Sequence, residues 1–96
     1  MKINIELLGL PMVSELIGKK KLDLEVPAGT VKAVVDELIR RYGKKVGEAI
    51  FDSDGNFDLS IQVALNGKSF IAVDQHHETL IKDGDTLALM LLLAGG

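Results

Sequence analysis

Lys21-Leu22-Asp23-Leu24-Glu25-Val26-Pro27-Ala28-Gly29-Thr30, with its continuation Val31 to Gly43, reads in two periods. Over 20–26 the residues alternate: Leu22, Leu24 and Val26 fall on one side, Lys21, Asp23 and Glu25 on the other. Period two with one apolar face is a half-buried strand. Pro27-Ala28-Gly29 breaks it, and Thr30 is a good N-cap, since its hydroxyl can accept from a free first-turn amide. Val31, Val34, Val35, Leu38, Ile39 and Tyr42 then recur at helical spacing, and Gly43 supplies a stop. Asp36/Arg40 and Glu37/Arg41 stand as i,i+4 pairs on the solvent side of this helix.

Working outward, residues 2–8 alternate in the same way, with Ile3, Ile5 and Leu7 opposite Lys2, Asn4 and Glu6. The 9–18 connection holds Met12, Val13, Leu16 and Ile17 at helical spacing and predicts a short helical turn. Lys44 to Phe51 predicts a further turn or two, with Val46, Ala49 and Ile50 inward. Asp52-Ser53-Asp54-Gly55-Asn56 is a turn cluster. A third strand spans 59–65, Asn66-Gly67 marks a tight turn tolerant of positive φ, and 68–73 returns as a short strand. Residues 74–82 read as irregular. Asp83-Gly84-Asp85 turns the chain into a last strand, Thr86 to Leu93, apolar on both faces and so suited to the middle of a sheet. Leu89 and Leu91 fall on one face and Met90 and Leu92 on the other; one set is expected under the helix, and an exposed set beside the tail would mark an interface, unless both faces are buried. The order β-β-α-β-β-β, with one main amphipathic helix on one face of a mixed sheet, predicts an α+β two-layer domain of β-grasp order over 1–96, with a flexible tail at 94–96.

The 96 residues are 47% hydrophobic and 26% charged, within the globular range. A net charge of −3 argues against nucleic acid, which calls for clustered Lys and Arg. Met1-Lys2 leads straight into the alternating pattern, and the apolar run Leu87 to Ala94 is too short to cross a bilayer, so a cytoplasmic protein without a membrane partner is expected. The absence of cysteine removes disulfides, thiolate metal sites, a cysteine nucleophile and any persulfide on this chain.

The strand runs with no polar linker into Ala94-Gly95-Gly96. Glycines lack Cβ, so such a tail enters a narrow channel and adopts backbone angles closed to other residues. A carboxylate carried there can reach the α-phosphorus of a nucleotide and become an acyl-adenylate. A sulfur donor would then leave a thiocarboxylate, and a lysine amine an isopeptide. Incidental small residues at a chain end are the plain alternative.

Val63-Ala64-Leu65-Asn66-Gly67, Leu80 to Leu87 with its Asp83-Gly84-Asp85 turn, and Ala94-Gly95-Gly96 together resemble the ubiquitin-like sulfur carriers of MoaD/ThiS type. That family includes the small subunit of molybdopterin synthase and the thiamine-pathway sulfur carrier. Leu16-Ile17-Gly18 and Val26 to Thr30 fit as well. The resemblance implies a β-grasp fold, no catalysis by this chain alone, and no bound cofactor. It implies three partners: a ubiquitin-activating-type enzyme that spends ATP to adenylate Gly96, a sulfurtransferase, and the large catalytic subunit of molybdopterin synthase, or a thiazole synthase. Gly96 then carries the sulfur, Gly95 and Ala94 occupy the partner's channel, and Met90, Leu92 and Leu93 meet the partner. The 43–58 segment is longer than in compact members of the family.

Other features point to no chemistry. Asp52, Asp54, Gly55 and Asp58 lack calcium-loop spacing, where glycine stands sixth and glutamate twelfth. His76 and His77 are adjacent, without a third ligand, and read as solvated loop residues. Lys19-Lys20-Lys21 reads as a solvated strand edge. No Ser-His-Asp arrangement, phosphate-binding loop or dinucleotide fingerprint is present. Three functions remain: a sulfur carrier, a protein modifier joined through Gly96, or a β-grasp binding module.

Overall fold

The computed structural model describes residues 1–27 and 29–91. Strands β1 (Lys2–Leu8), β2 (Lys21–Glu25), β3 (Ile61–Leu65), β4 (Ser69–Ile71) and β5 (Thr86–Leu91) form one sheet in the order β2-β1-β5-β3-β4. β1 and β5 are parallel; the other neighbours are antiparallel. Helices α1 (Pro11–Ile17), α2 (Val31–Tyr42) and α3 (Lys44–Ile50) complete the α+β, ubiquitin-like β-grasp architecture.

The core follows from the two periods. Ile3, Ile5 and Leu7 of β1, Leu22 and Leu24 of β2, Ile61 and Val63 of β3, and Leu87 and Leu89 of β5 are buried on one sheet face. Val31, Val34, Val35 and Leu38 of α2 are buried with them in the same cluster. The first amides of α2 find acceptors from three places: Thr79 O for Val31 (3.0 Å), His76 O for Lys32 (2.9 Å) and Thr30 Oγ1 for Ala33 (3.3 Å). The 73–80 stretch, with its 3-10 turn Val73–Gln75, therefore caps the helix as well as connecting β4 to β5. At the other end Gly43 takes φ +101° and hands the chain to α3. Gly47 lets α3 close on α2, because a Cβ there would sit 3.2 Å from Ile39 Cγ2.

The structure corrects several expectations. The turn or two expected over 44–51 forms as α3 with Val46 and Ile50 fully buried, but Ala49 is only half-buried. The third strand starts at Ile61, not 59: Asp58 Oδ1 accepts from Ser60 N and Oγ, its carbonyl accepts from Ile61 N, and Leu59 is left 78% exposed on the turn. On α2 the ion pairs are Lys32–Asp36 and Glu37–Arg40, because the Arg40 guanidinium grips both oxygens of Glu37 and Lys32 takes Asp36. Both spacings make neighbours on a helix face, and the forked grip of Arg40 on Glu37 settles the pairing here at i,i+3.

His76 is also not solvated. It is 6% exposed, with its ring edge-on to Phe57 at 4.7 Å, and Phe57 in turn stands edge-on to Phe51. After α3, the Phe51–Phe57 bridge, closed around Gly55 at φ +81°, folds the rest of the longer 43–58 segment back against this ring. His76 Nε2 has no hydrogen-bond partner, and burial holds the imidazole pKa below its ordinary value, against the opposing pull of the Ile71 backbone and of Asp74.

The core assignment predicts that Leu89→Ala costs about 2–5 kcal/mol by denaturant unfolding, whereas Leu59→Ala stays within about 0.5 kcal/mol. A second prediction concerns pH. The folded state favours neutral His76, so its contribution is present above the unfolded pKa of about 6.5 and is lost as pH falls through the lowered folded value. His76→Phe should remove that slope in unfolding measured from neutral to mildly acid pH.

Candidate functional site

The predicted chemistry lies at the end of β5, so the site starts with what holds that strand. β5 is central, with β1 on one side through Asn4↔Thr86 to Leu8↔Met90, and β3 on the other through Ile61↔Leu91 to Leu65↔Leu87. Leu87 and Leu89 are fully buried beneath the helices, which fixes the strand's rotation.

Its start is held by a polar clamp. Asn66 and Gly67 both have positive φ (+55° and +68°), as the tight β3–β4 turn requires. In that conformation Asn66 Oδ1 accepts from Thr86 N (2.8 Å), Asn66 Nδ2 donates to Asp85 Oδ1 (3.1 Å), and Asn66 N donates to Thr86 O (2.8 Å). Asp85 Oδ2 accepts from Lys82 N (2.7 Å) and its carbonyl from Asn4 N (2.9 Å). Asp83 Oδ1 accepts from Lys2 N (2.6 Å), and Gly84 N returns a bond to Lys2 O. The Asp83-Gly84-Asp85 turn thus stitches the start of β5 to β1 and to the β3–β4 turn. The amide of Lys82, the Asn66 side chain and the Lys82 charge together hold the Asp85 carboxyl below the usual carboxylate range.

The sheet face away from the helices carries the surface next to the strand's end. Across it, Phe70, Ala64, Ala88, Glu6 and Lys21 form one row, the last two as an ion pair. The next row is Gln62, Met90 and Leu8. Phe70 is 67% exposed and Leu8 42%, with Met90 half-buried between its neighbours. Met90 therefore lies where the sequence pattern placed it. Leu92, Leu93, Ala94, Gly95 and Gly96 lie outside the described residues. Leu8 and Phe70 complete the apolar surface and were missed from sequence; Leu8 had a visible signal, since it breaks the polar series Lys2, Asn4, Glu6. Among the described residues no group of three His, Asp or Glu side chains is placed to hold a metal ion. Asp52 spends Oδ1 on the amides of Asp54 and Asn56, closing the turn that the sequence cluster predicts.

The comparisons bear on this strand-and-tail arrangement. The sequence matches the ThiS family over residues 12–96. The chain belongs to the ThiS family. That family is of the ThiS/MoaD-type, ubiquitin-like sulfur carriers. No curated protein sequence matches it. Among solved structures it is similar to SAMP1 from Haloferax volcanii, at 24% identity and a TM-score of 0.78 over 100% of both chains. It is similar to a chain of the Amycolatopsis orientalis BexX/CysO complex, at 22% identity and a TM-score of 0.71, covering 98% of this chain and 99% of that one. It is also similar to the putative molybdopterin converting factor subunit 1 of Pyrococcus furiosus, at 21% identity and a TM-score of 0.70, covering 97% and 99%. Within the described residues of this ThiS-family chain, no helix is long and apolar enough to cross a membrane.

The clamp predicts that Asn66→Ala loses about 1–3 kcal/mol of stability, since it strands Thr86 N and puts at positive φ a residue without asparagine's tolerance of that region. Asp85 gives the pH signature. Its folded pKa is depressed, so its stabilisation is present above the unfolded carboxylate value and is lost as pH falls through the folded one. Asp85→Asn should make acid unfolding less steep in that window.

Proposed function

We propose that this ThiS-family protein carries sulfur on the carboxylate of Gly96 and donates it to a pterin precursor in molybdenum or tungsten cofactor synthesis. The observation that carries the proposal is the placing of β5: a central strand, clamped at its start and buried along its length, that leads directly to Leu91 and the glycine tail. Such a strand gives a short tail a fixed origin, so a partner that docks on the open sheet face receives the carboxylate at a reproducible point.

The chemistry balances in two steps. A carboxylate oxygen of Gly96 attacks the α-phosphorus of ATP in an activating enzyme; pyrophosphate leaves and an acyl-adenylate remains. A hydrosulfide-equivalent sulfur then attacks the acyl carbon, the C–O bond to AMP breaks, and AMP leaves a thiocarboxylate. This chain supplies no catalytic group: it presents the carboxyl and binds no cofactor. With no cysteine, the carboxyl is the group that holds the sulfur. The partners are the adenylating enzyme, a sulfurtransferase and a large subunit of molybdopterin-synthase type; in this reading Met90, Leu92 and Leu93 meet the partner, and Ala94 and Gly95 enter its channel. The Pyrococcus similarity supports the pterin acceptor, and the family match also suits a thiazole.

A second reading has its own support: similarity to a small archaeal modifier protein, which suits a Gly96 isopeptide on lysine. Intact mass spectrometry separates the two. After incubation with ATP, the host's activating enzyme and a sulfur donor, the protein should gain the mass of one sulfur for one oxygen, and a Gly96-deleted form should not. Covalent ladders in extract without that gain would establish the modifier instead. Neither signal would leave a binding module and overturn the proposal.

A further inference from the structure

The β1–α1–β2 connection holds a surface that the tail chemistry leaves unused. Beyond β1 the chain turns at Gly9 (φ +65°) into α1, and leaves α1 at Gly18 (φ +87°). Between these turns lies an open, mainly apolar groove of about 660 Å³ with Leu8, Leu10 and Pro11 on its walls and Lys19 and Lys20 at its rim. Glu15 and Ser14 also line it; the Ser14 hydroxyl donates to Pro11 O.

Place and charge define its use. Leu8 pairs with Met90, and a Cβ on Gly9 would lie 3.9 Å from Leu91 O, so the groove opens where β5 delivers the tail. A partner that encloses the tail covers this ground too. The protein is acidic overall, at −3. Lys2, Lys21, Lys32 and Lys44 each have a carboxylate within 4.0 Å; among the described residues Lys19, Lys20, Lys45, Lys68 and Lys82 have none, and of these only Lys19 and Lys20 line the groove. Lys20 is also held in place, because its carbonyl accepts from Leu7 N at 2.7 Å. Two exposed, uncompensated cations beside an apolar groove form a basic rim on an acidic molecule.

We infer that this groove docks the adenylating enzyme, taking one aliphatic or aromatic side chain flanked by Asp or Glu carboxylates that pair with Lys19 and Lys20. The inference rests on the sulfur-carrier reading and names a second contact for the same partner, on the β1 side of β5 rather than the β4 side that holds Phe70. Desolvating the apolar side chain supplies affinity, and the rim charges set encounter rate and orientation.

The test is ATP–pyrophosphate exchange by the host's adenylating enzyme, measured against carrier concentration. The double variant Lys19→Glu/Lys20→Glu should raise KM for the carrier by about tenfold with kcat little changed, and the wild-type advantage should shrink at high salt. Lys19→Arg/Lys20→Arg should keep the wild-type KM. Lys44→Glu/Lys45→Glu, an equal charge change on α3, should leave KM near wild type. An unchanged KM in the first variant, or an equal rise in the α3 control, overturns the docking site. Absence of exchange with the unaltered protein instead overturns the sulfur-carrier reading, and the docking site with it.

Discussion

The parallel pairing of β1 with β5 is the contact on which the rest of the structure depends. It joins Asn4 to Thr86 and Leu8 to Met90, almost the full length of the chain apart. Closing so long a loop costs conformational entropy that grows only slowly with length, and here the burial of Leu87 and Leu89 against Ile5 and Leu7 offsets it. Without that pairing β2 and β1 would be a hairpin-like pair on one side and β3 and β4 another, with no shared core. α2 packs over the joined sheet, and the 73–80 stretch both caps α2 and carries the chain back to β5.

The polar groups serve the same pairing. Asp83, Asp85 and Asn66 spend their side-chain oxygens on backbone amides of Lys2, Lys82 and Thr86. Each bond is modest alone, about 1 kcal/mol net, but together they fix register, and a one-residue slip would move Leu87 and Leu89 to the open face. Function inherits this precision. A carrier whose reactive atom sits on a short glycine tail needs a fixed point from which the tail departs, and a surface beside it for partners to read. Met90 and Phe70 lie on the open face, Phe70 on the β4 side of the strand end, and Leu8 with the Lys19–Lys20 groove lies on the β1 side.

Much of this was legible in the residues. Period two in 2–8 and 20–26, period 3.6 after Thr30, and the Asn66-Gly67 turn all reflect local rules; β1 and α2 formed at the expected bounds, and β2 is one residue shorter at each end. The misses were contacts made at a distance. His76 looks like any loop histidine until the Phe51–Phe57 hairpin closes on its ring. Leu59 continues the apolar alternation, yet the Asp58 turn takes it out of the strand. Met12 has helical spacing with Val13 and Leu16, yet is 68% exposed, because a two-turn helix buries only one narrow stripe.

The sequence by itself determined the kind of elements, their order, the absence of any thiol chemistry and the glycine end, because these depend on residue type and on spacing along the chain. The tertiary structure alone decided which face of β5 is covered, why the Asp83-Gly84-Asp85 and Asn66-Gly67 motifs belong together, and that two lysines stand beside the strand's exit. Those facts depend on which distant backbone groups meet, and hydrogen bonds between residues 66 and 86 or 2 and 83 leave no periodic trace in the chain.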